Sequence, residues 1–272
     1  MSAFDRYIVE VLGFSESMRR RGCAFEQFDC PEPPEAIREA LPIAIGSGAN
    51  PGIILRGDAF LELGNPTAGS CAYLLWSDEP SLIRDGRITL FGPDIPESGG
   101  ASLPFGQVLM LAGEGLLPKD HERLQQVPIV GDQIEGYMVR SAAENVWSRV
   151  SKDVAARGFD FEMLGRSLLS LAKSGAEGIT AMEVLFVTTS KDDVSELSSI
   201  ASGSRSVGSE ILKETWKARG YDVDCDFDCS SCTDAEVCDD IRDVIAAIKK
   251  KAQEKRASAG QNESGENAEL NS

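Results

Sequence analysis

The chain has 272 residues, enough for two compact domains or one large one, and 42% of them are hydrophobic, too many for a disordered protein. Its formal charge of −17 repels nucleic acid and anionic lipid, so neither is an expected partner. Seven cysteines and a single histidine, His121, restrict the chemistry: a metal site must rest on thiolate and carboxylate, and histidine catalysis has one candidate.

The first residues carry Asp5 and Glu10 and lack a basic region followed by an unbroken apolar core, so they do not read as a secretory signal. The longest apolar stretch, residues 179–187, is interrupted by Thr180 and Glu183 and falls short of the roughly 20 residues of a membrane helix. The expected location is cytoplasmic, where clustered cysteines read as metal ligands or redox groups rather than disulfides.

Residues 1–52 read as an irregular extension, with Cys23 and Cys30 as free thiols and a short helix over 34–41. Residues 53–112 read as β-rich, with strands at 53–55, 72–76, 87–91 and 107–112 between Gly and Pro punctuation; Asp85-Gly86 makes a tight turn into 87–91. His121 lies in the polar run LLPKDHERLQQ and reads as a surface histidine with no orienting partner. Residues 133–175 read as helical. Ile134, Met138, Ala142, Val146 and Val150 recur every four residues, and a second helix over 161–173 carries Leu164, Leu168, Leu169 and Leu171 and stops at Gly175. Residues 182–189 are a buried strand; 190–199 and 209–219 are helices, the first with Asp192 and Asp193 in its opening turn. This order predicts an α/β class, or a mixed α+β one, with a central sheet and flanking helices over 53–220.

Residues 221–248 form a cysteine-rich loop and helix, and 249–272 a disordered tail. Cys225, Cys229, Cys232 and Cys238 are spaced C-x3-C-x2-C-x5-C. Thr233 and Glu236 form a capping box, which starts a helix whose apolar face is Val237, Ile241, Val244, Ile245 and Ile248. Cys238 then sits in the first turn, where a helix N-terminus favours a thiolate. Four thiolates suit an iron–sulfur cubane or a structural zinc, and free thiols are the remaining option. Residues 222–243 hold nine acids against Arg242 alone, which lowers the reduction potential of a cluster or makes a docking face.

The runs ELGNPTAGS (62–70), DGRITLFGPDIPE (85–97), PFGQVLMLAGEGL (104–116), the stretch around Trp147-Ser-Arg149-Val-Ser-Lys152, and MEVLFVTTSKDDVSEL (182–197) occur in the order in which similar runs occur in a known family. Together they resemble the acetyl-CoA synthase (beta) subunit of the CO dehydrogenase/acetyl-CoA synthase complex. The resemblance implies an acetyl-CoA synthase-like α/β domain over 53–220 that binds coenzyme A near Trp147 and Arg149 and leads into a cluster segment. It also implies that Cys229, Cys232 and Cys238 are cubane ligands, with Cys232 at the bridge to nickel in the family.

The departures are the short Cys232–Cys238 spacing, Cys225 in place of the family's later fourth cysteine, and no Cys-Gly-Cys for the distal nickel. The chain looks cut short within the cluster domain, which leaves nickel open and makes it not competent alone in an acyltransferase system. The expectation is an iron–sulfur protein with a [4Fe–4S] cluster and CoA, a subunit or paralogue in anaerobic acetyl-CoA and CO metabolism, with a protein partner in a redox or acyl-transfer complex. The alternatives are a non-catalytic electron-transfer or docking module and a zinc-stabilised interaction domain. Cys23, Cys30 and Cys71 have no assigned task.

Overall fold

Eight strands and five helices appear in the computed structural model, which describes residues 2–30, 32, 60–64, 67–98, 101–125, 137–142, 145–175 and 177–219. In chain order the strands are β1 (Phe25–Asp29), β2 (Phe60–Leu63), β3 (Ser70–Ser77), β4 (Arg87–Phe91), β5 (Phe105–Ala112), β6 (Tyr137–Ala142), β7 (Asn145–Ser151) and β8 (Ala181–Val187). The helices are α1 (Asp5–Arg20), α2 (His121–Leu124), α3 (Lys152–Ala156), α4 (Phe161–Gly175) and α5 (Lys191–Ala218).

The apolar runs at β3, β4, β5 and β8 form strands as the sequence predicts, and they build a five-stranded sheet in the order β1–β4–β8–β5–β3. β4–β8 and β3–β5 are parallel; β1–β4 and β5–β8 are antiparallel. Every position of β5 and β8 is buried, the mark of a sheet covered on both faces. Register shows how. Gly106 stands beside Cys71 and Val187, and a Cβ there would lie 2.9 Å from Leu197 of α5. Three residues on, Leu109 shares a row with Val184 and Ile88 on the opposite face, since side chains alternate. Ile88 meets α4 so closely that a Cβ at Gly165 would lie 2.7 Å from its methyl group. Phe105, Phe161 and Phe186 pack as one aromatic group under the start of α4, with Phe161 and Phe186 centroids 5.0 Å apart.

Glu183, which breaks the apolar run of β8 in the sequence, is buried. Arg87 Nη2 pairs with its carboxylate at 2.6 Å and the Arg84 N–H donates to it at 2.9 Å, so the charge is compensated where it is desolvated.

Four expectations are corrected. The expected helix over 134–150 is instead the hairpin β6–β7, which with β2 forms a three-stranded antiparallel sheet, β2–β7–β6. The physical reason is arithmetic: a spacing of four is even, so Met138 and Ala142 fall on one face of β6, and Val146 and Val150 on one face of β7, just as each pair would share one face of a helix. Ser148, between Val146 and Val150, is itself buried, which only the strand period explains.

Residues 5–29, read as irregular, form α1 and β1; Tyr7, Ile8, Val11, Phe14 and Met18 are its buried stripe. The two helices expected over 190–219 are one, α5, running through Gly203 and Gly208. Those glycines are not breaks but close approaches: a Cβ would stand 2.7 Å from the Tyr7 ring at Gly203 and 2.8 Å from His121 Nε2 at Gly208.

His121 is accordingly buried rather than on the surface, stacked on Phe4 at 5.2 Å, with Trp76 Nε1–H donating to its Nδ1 at 3.0 Å. Burial pushes its pKa down to about 4, so the ring is neutral, and the Trp76 bond assigns its proton to Nε2. The expected strand at 53–55, the helix at 34–41 and the segments 221–248 and 249–272 lie outside the described residues. No helix among the described residues is long and apolar enough to cross a membrane.

Gly165→Val should drive branched carbon into Ile88 and separate α4 from β4, lowering stability by about 1–3 kcal/mol. Urea unfolding followed by circular dichroism reads this directly; an unchanged midpoint would contradict the packing.

Candidate functional site

Strand alternation decides which residues of the small sheet are available. On β2, Leu61 and Leu63 are buried; on β7, Ser148 and Val150 are buried. Glu62 and Arg149 occupy the intervening positions and face the other way. They stand directly opposite each other in the β2–β7 register, with Arg149 Nη2 3.3 Å from Glu62 Oε1 and both side chains partly exposed. Arg149, the residue tied to coenzyme A by the resemblance, is therefore held by a carboxylate across the sheet. Trp147 lies two positions earlier on β7, opposite Arg140; its side chain lies outside the described set.

The small sheet joins the large one through backbone bonds. Leu103 donates its N–H to the Glu62 carbonyl at 3.0 Å and accepts from the Gly64 N–H at 2.8 Å, and Phe105, opening β5, donates to the Gly69 carbonyl at 3.1 Å. Next to this stitch lie the turns that follow the parallel strands β4 and β8. Thr188 Oγ1 donates to the carbonyls of Phe91 (3.2 Å) and Pro93 (2.8 Å). Gly92 has φ +102, and a Cβ there would stand 2.6 Å from the Thr189 nitrogen, so only glycine fits the start of the Gly-Pro-Asp-Ile run. Gly69, with φ +91, lies close to Lys191, whose Cγ would stand 3.1 Å from a Cβ there. The described parts of 62–70, 92–98, 101–106 and 188–193, dispersed in the sequence, thus meet at one end of the sheet, where β4 and β8 finish and β3 and β5 begin.

The carboxylates of this end are engaged with helix N-termini. Asp160 accepts from the Met163 N–H at 2.8 Å and Asp94 from the Phe161 N–H at 3.0 Å, both at the start of α4. Burial pushes Asp94 up to about 6, against its two backbone donors and with Asp160 and Glu26 adding repulsion; burial also raises Asp160. Asp193 moves the other way. Burial opposes its ionisation, but hydrogen bonds from Thr189 (2.6 Å) and Ser190 (2.7 Å) and the Arg21 guanidinium at 2.9 Å outweigh it and hold the pKa low.

Cys225, Cys229, Cys232 and Cys238 lie outside the described residues. The described cysteines are free thiols. Cys71 is buried and its pKa is pushed up to about 12, which makes it an inert thiol; buried Cys30 accepts from Arg166 Nη1 at 3.3 Å. No group of three or more His, Cys, Asp or Glu among the described residues is placed to hold a metal ion.

A family model described as the CO dehydrogenase/acetyl-CoA synthase complex beta subunit matches residues 41–194, more than half of the chain. The chain belongs to that family. The match takes in β2 through β8, the four convergent segments, and Trp147 and Arg149. Relatives include the acetyl-CoA decarbonylase/synthase complex subunit beta 1 of Methanosarcina mazei, 29% identical over 184 residues, which are 64% of this chain and 36% of that protein. The subunit beta of Methanopyrus kandleri is 29% identical over 159 residues, 57% of this chain and 34% of its own. The subunit beta of Archaeoglobus fulgidus is 28% identical over 153 residues, 53% of this chain and 28% of its own. The chain therefore spans about a third of the length of these beta subunits. Neither Glu62 nor the Asp94–Asp160 pair was singled out by sequence as a site residue, although Glu62 opens the ELGNPTAGS run and Asp94 lies in Gly-Pro-Asp-Ile.

The raised Asp94 value sets a pH dependence. Its ordinary value is 3.8, so the fold favours the protonated form; that contribution is complete below 3.8 and is lost as pH rises through about 6. Asp94→Asn keeps an oxygen acceptor for the Phe161 N–H but does not titrate. The melting temperature of the variant relative to the parent should therefore rise from about pH 5 to about pH 7. A difference that stays flat across this range contradicts the assignment.

Proposed function

We propose that this beta-subunit family member is an iron–sulfur protein that binds a [4Fe–4S] cluster at Cys225, Cys229, Cys232 and Cys238 and coenzyme A on the small sheet at Trp147 and Arg149. It works with a protein partner in the acetyl-CoA and CO metabolism of an anaerobe, in a redox or acyl-transfer complex. The observation that carries this reading is the family match, which runs through β2 to β8 and so covers the sheet that bears Arg149. The relatives' names, subunits of an acetyl-CoA decarbonylase/synthase complex, support the partner.

The donor set fits a cubane: four thiolates within fourteen residues offer one ligand to each iron. Two of the described cysteines do not compete for that role: Cys71 is a buried, high-pKa thiol and Cys30 is buried beneath Arg166. A bound cluster supplies one-electron transfer. The chain's own contribution there is charge: nine acids against Arg242 over 222–243 disfavour an added electron and hold the potential low. On the small sheet, a guanidinium suits the phosphates of coenzyme A by bidentate pairing, and an indole suits stacking on its purine.

The acidic concentration also favours a second reading, in which the cysteine segment is an electron-transfer module that docks on a basic surface. Anaerobic purification followed by Fe, S, Ni and Zn analysis separates the readings. About four iron and four sulfide per chain are expected for one cubane. Nickel in addition would support an acetyl-CoA synthase-like centre, iron without nickel the electron-transfer reading, and zinc alone would remove the iron–sulfur assignment.

A further inference from the structure

The geometry points to Glu62 as an internal counter-ion of Arg149 that an entering phosphate group of coenzyme A displaces, so that Glu62 sets the affinity of the small-sheet site. This rests on the reading that Arg149 receives coenzyme A. Three observations carry it. The two residues are direct cross-strand partners on the face of the small sheet opposite to buried Leu61, Leu63, Ser148 and Val150. Their charged atoms are 3.3 Å apart, with the side chains 20% and 28% exposed. The Glu62 backbone is clamped on both sides, by β7 and by the Leu103 N–H at 3.0 Å.

The clamp means that main-chain motion is not needed to change the pairing. The carboxylate can leave the guanidinium only by rotating about its own side-chain bonds, while Arg149 stays fixed on β7. A partly exposed pair between single charges is a weak interaction. A phosphate, with up to two charges and three acceptor oxygens, is a stronger partner for the same guanidinium. Both anions cannot occupy the guanidinium without repelling each other, so binding is an exchange: Glu62 turns out to water as the phosphate comes in. Such a counter-ion keeps Arg149 ordered and compensated in the ligand-free protein and rejects ligands with too little negative charge to displace it.

Calorimetric titration of the full chain with coenzyme A tests this in the parent, Glu62→Gln, Arg149→Ala and the double variant, each checked by thermal melting. Glutamine keeps an oxygen acceptor for the guanidinium but removes the competing charge. Glu62→Gln is expected to lower Kd about five-fold, the scale of a partly exposed ion pair. Arg149→Ala should raise Kd, and in that background Glu62→Gln should have no effect. If Arg149→Ala weakens binding while Glu62→Gln leaves it unchanged or weaker, Glu62 only braces Arg149; the counter-ion role is overturned and the coenzyme A reading stands. If Glu62→Gln tightens binding equally without Arg149, the effect is a general loss of negative charge and the counter-ion role is again overturned. If Arg149→Ala leaves Kd unchanged, or coenzyme A binds neither the parent nor Glu62→Gln, both the role and the reading it rests on are removed.

Discussion

Leu103 is the residue on which the relation between the two sheets depends. Its N–H and C=O both bond to the exit of β2, at Glu62 and Gly64, and two residues later the chain enters β5. β5 lies between β8 and β3 and is buried along its whole length. Leu63 and Leu103 are bridge partners and are themselves buried, so these backbone bonds are shielded from water. Through this junction the position of Glu62, and of Arg149 across from it, is inherited from the core of the molecule rather than from a surface loop. A side chain whose backbone is held in this way needs little main-chain reordering when a ligand arrives.

The end of the large sheet beside that junction is built for close approach. Thr188 ties the turn after β8 to the turn after β4, and Gly92 is the residue that lets the two backbones touch. The acids of this region are spent: Asp94 and Asp160 accept from backbone N–H groups at the start of α4, and Asp193 accepts from the Thr189 and Ser190 hydroxyls and pairs with Arg21. They hold helices in place, and the raised value of Asp94 is what burial does to a carboxylate given two N–H donors and acidic neighbours. The motif segments that carry the family resemblance therefore act first as joints. Arg149, the residue proposed to receive coenzyme A, lies on the small sheet and not among these acids.

The strands β3, β4, β5 and β8 and the helix α4 were legible because dense apolar runs between Gly and Pro leave few alternatives. The family was legible because several motifs recur in one order. The hairpin β6–β7 was not, because a four-residue repeat is compatible with both periods and only the burial of Ser148 separates them. Assigning a helix there concealed the Glu62–Arg149 pair, since cross-strand register exists only once both strands are recognised. α5 was divided at Gly203 and Gly208, where the absence of a side chain serves the packing of Tyr7 and His121. His121 was misjudged for a related reason: its immediate neighbours are polar, while the residues that enclose it, Phe4, Trp76 and Gly208, are distant in the chain.

The central claim is that a rigid two-sheet body presents coenzyme A with a site on its smaller sheet. Hydrogen–deuterium exchange of the full chain with and without coenzyme A tests it most directly. Slower exchange is expected on ligand addition in peptides covering Phe60–Leu63 and Asn145–Ser151, with Phe105–Ala112 and Ala181–Val187 unchanged. Protection absent from those two strands, or confined to the turns at 92–98 and 188–193, would contradict it.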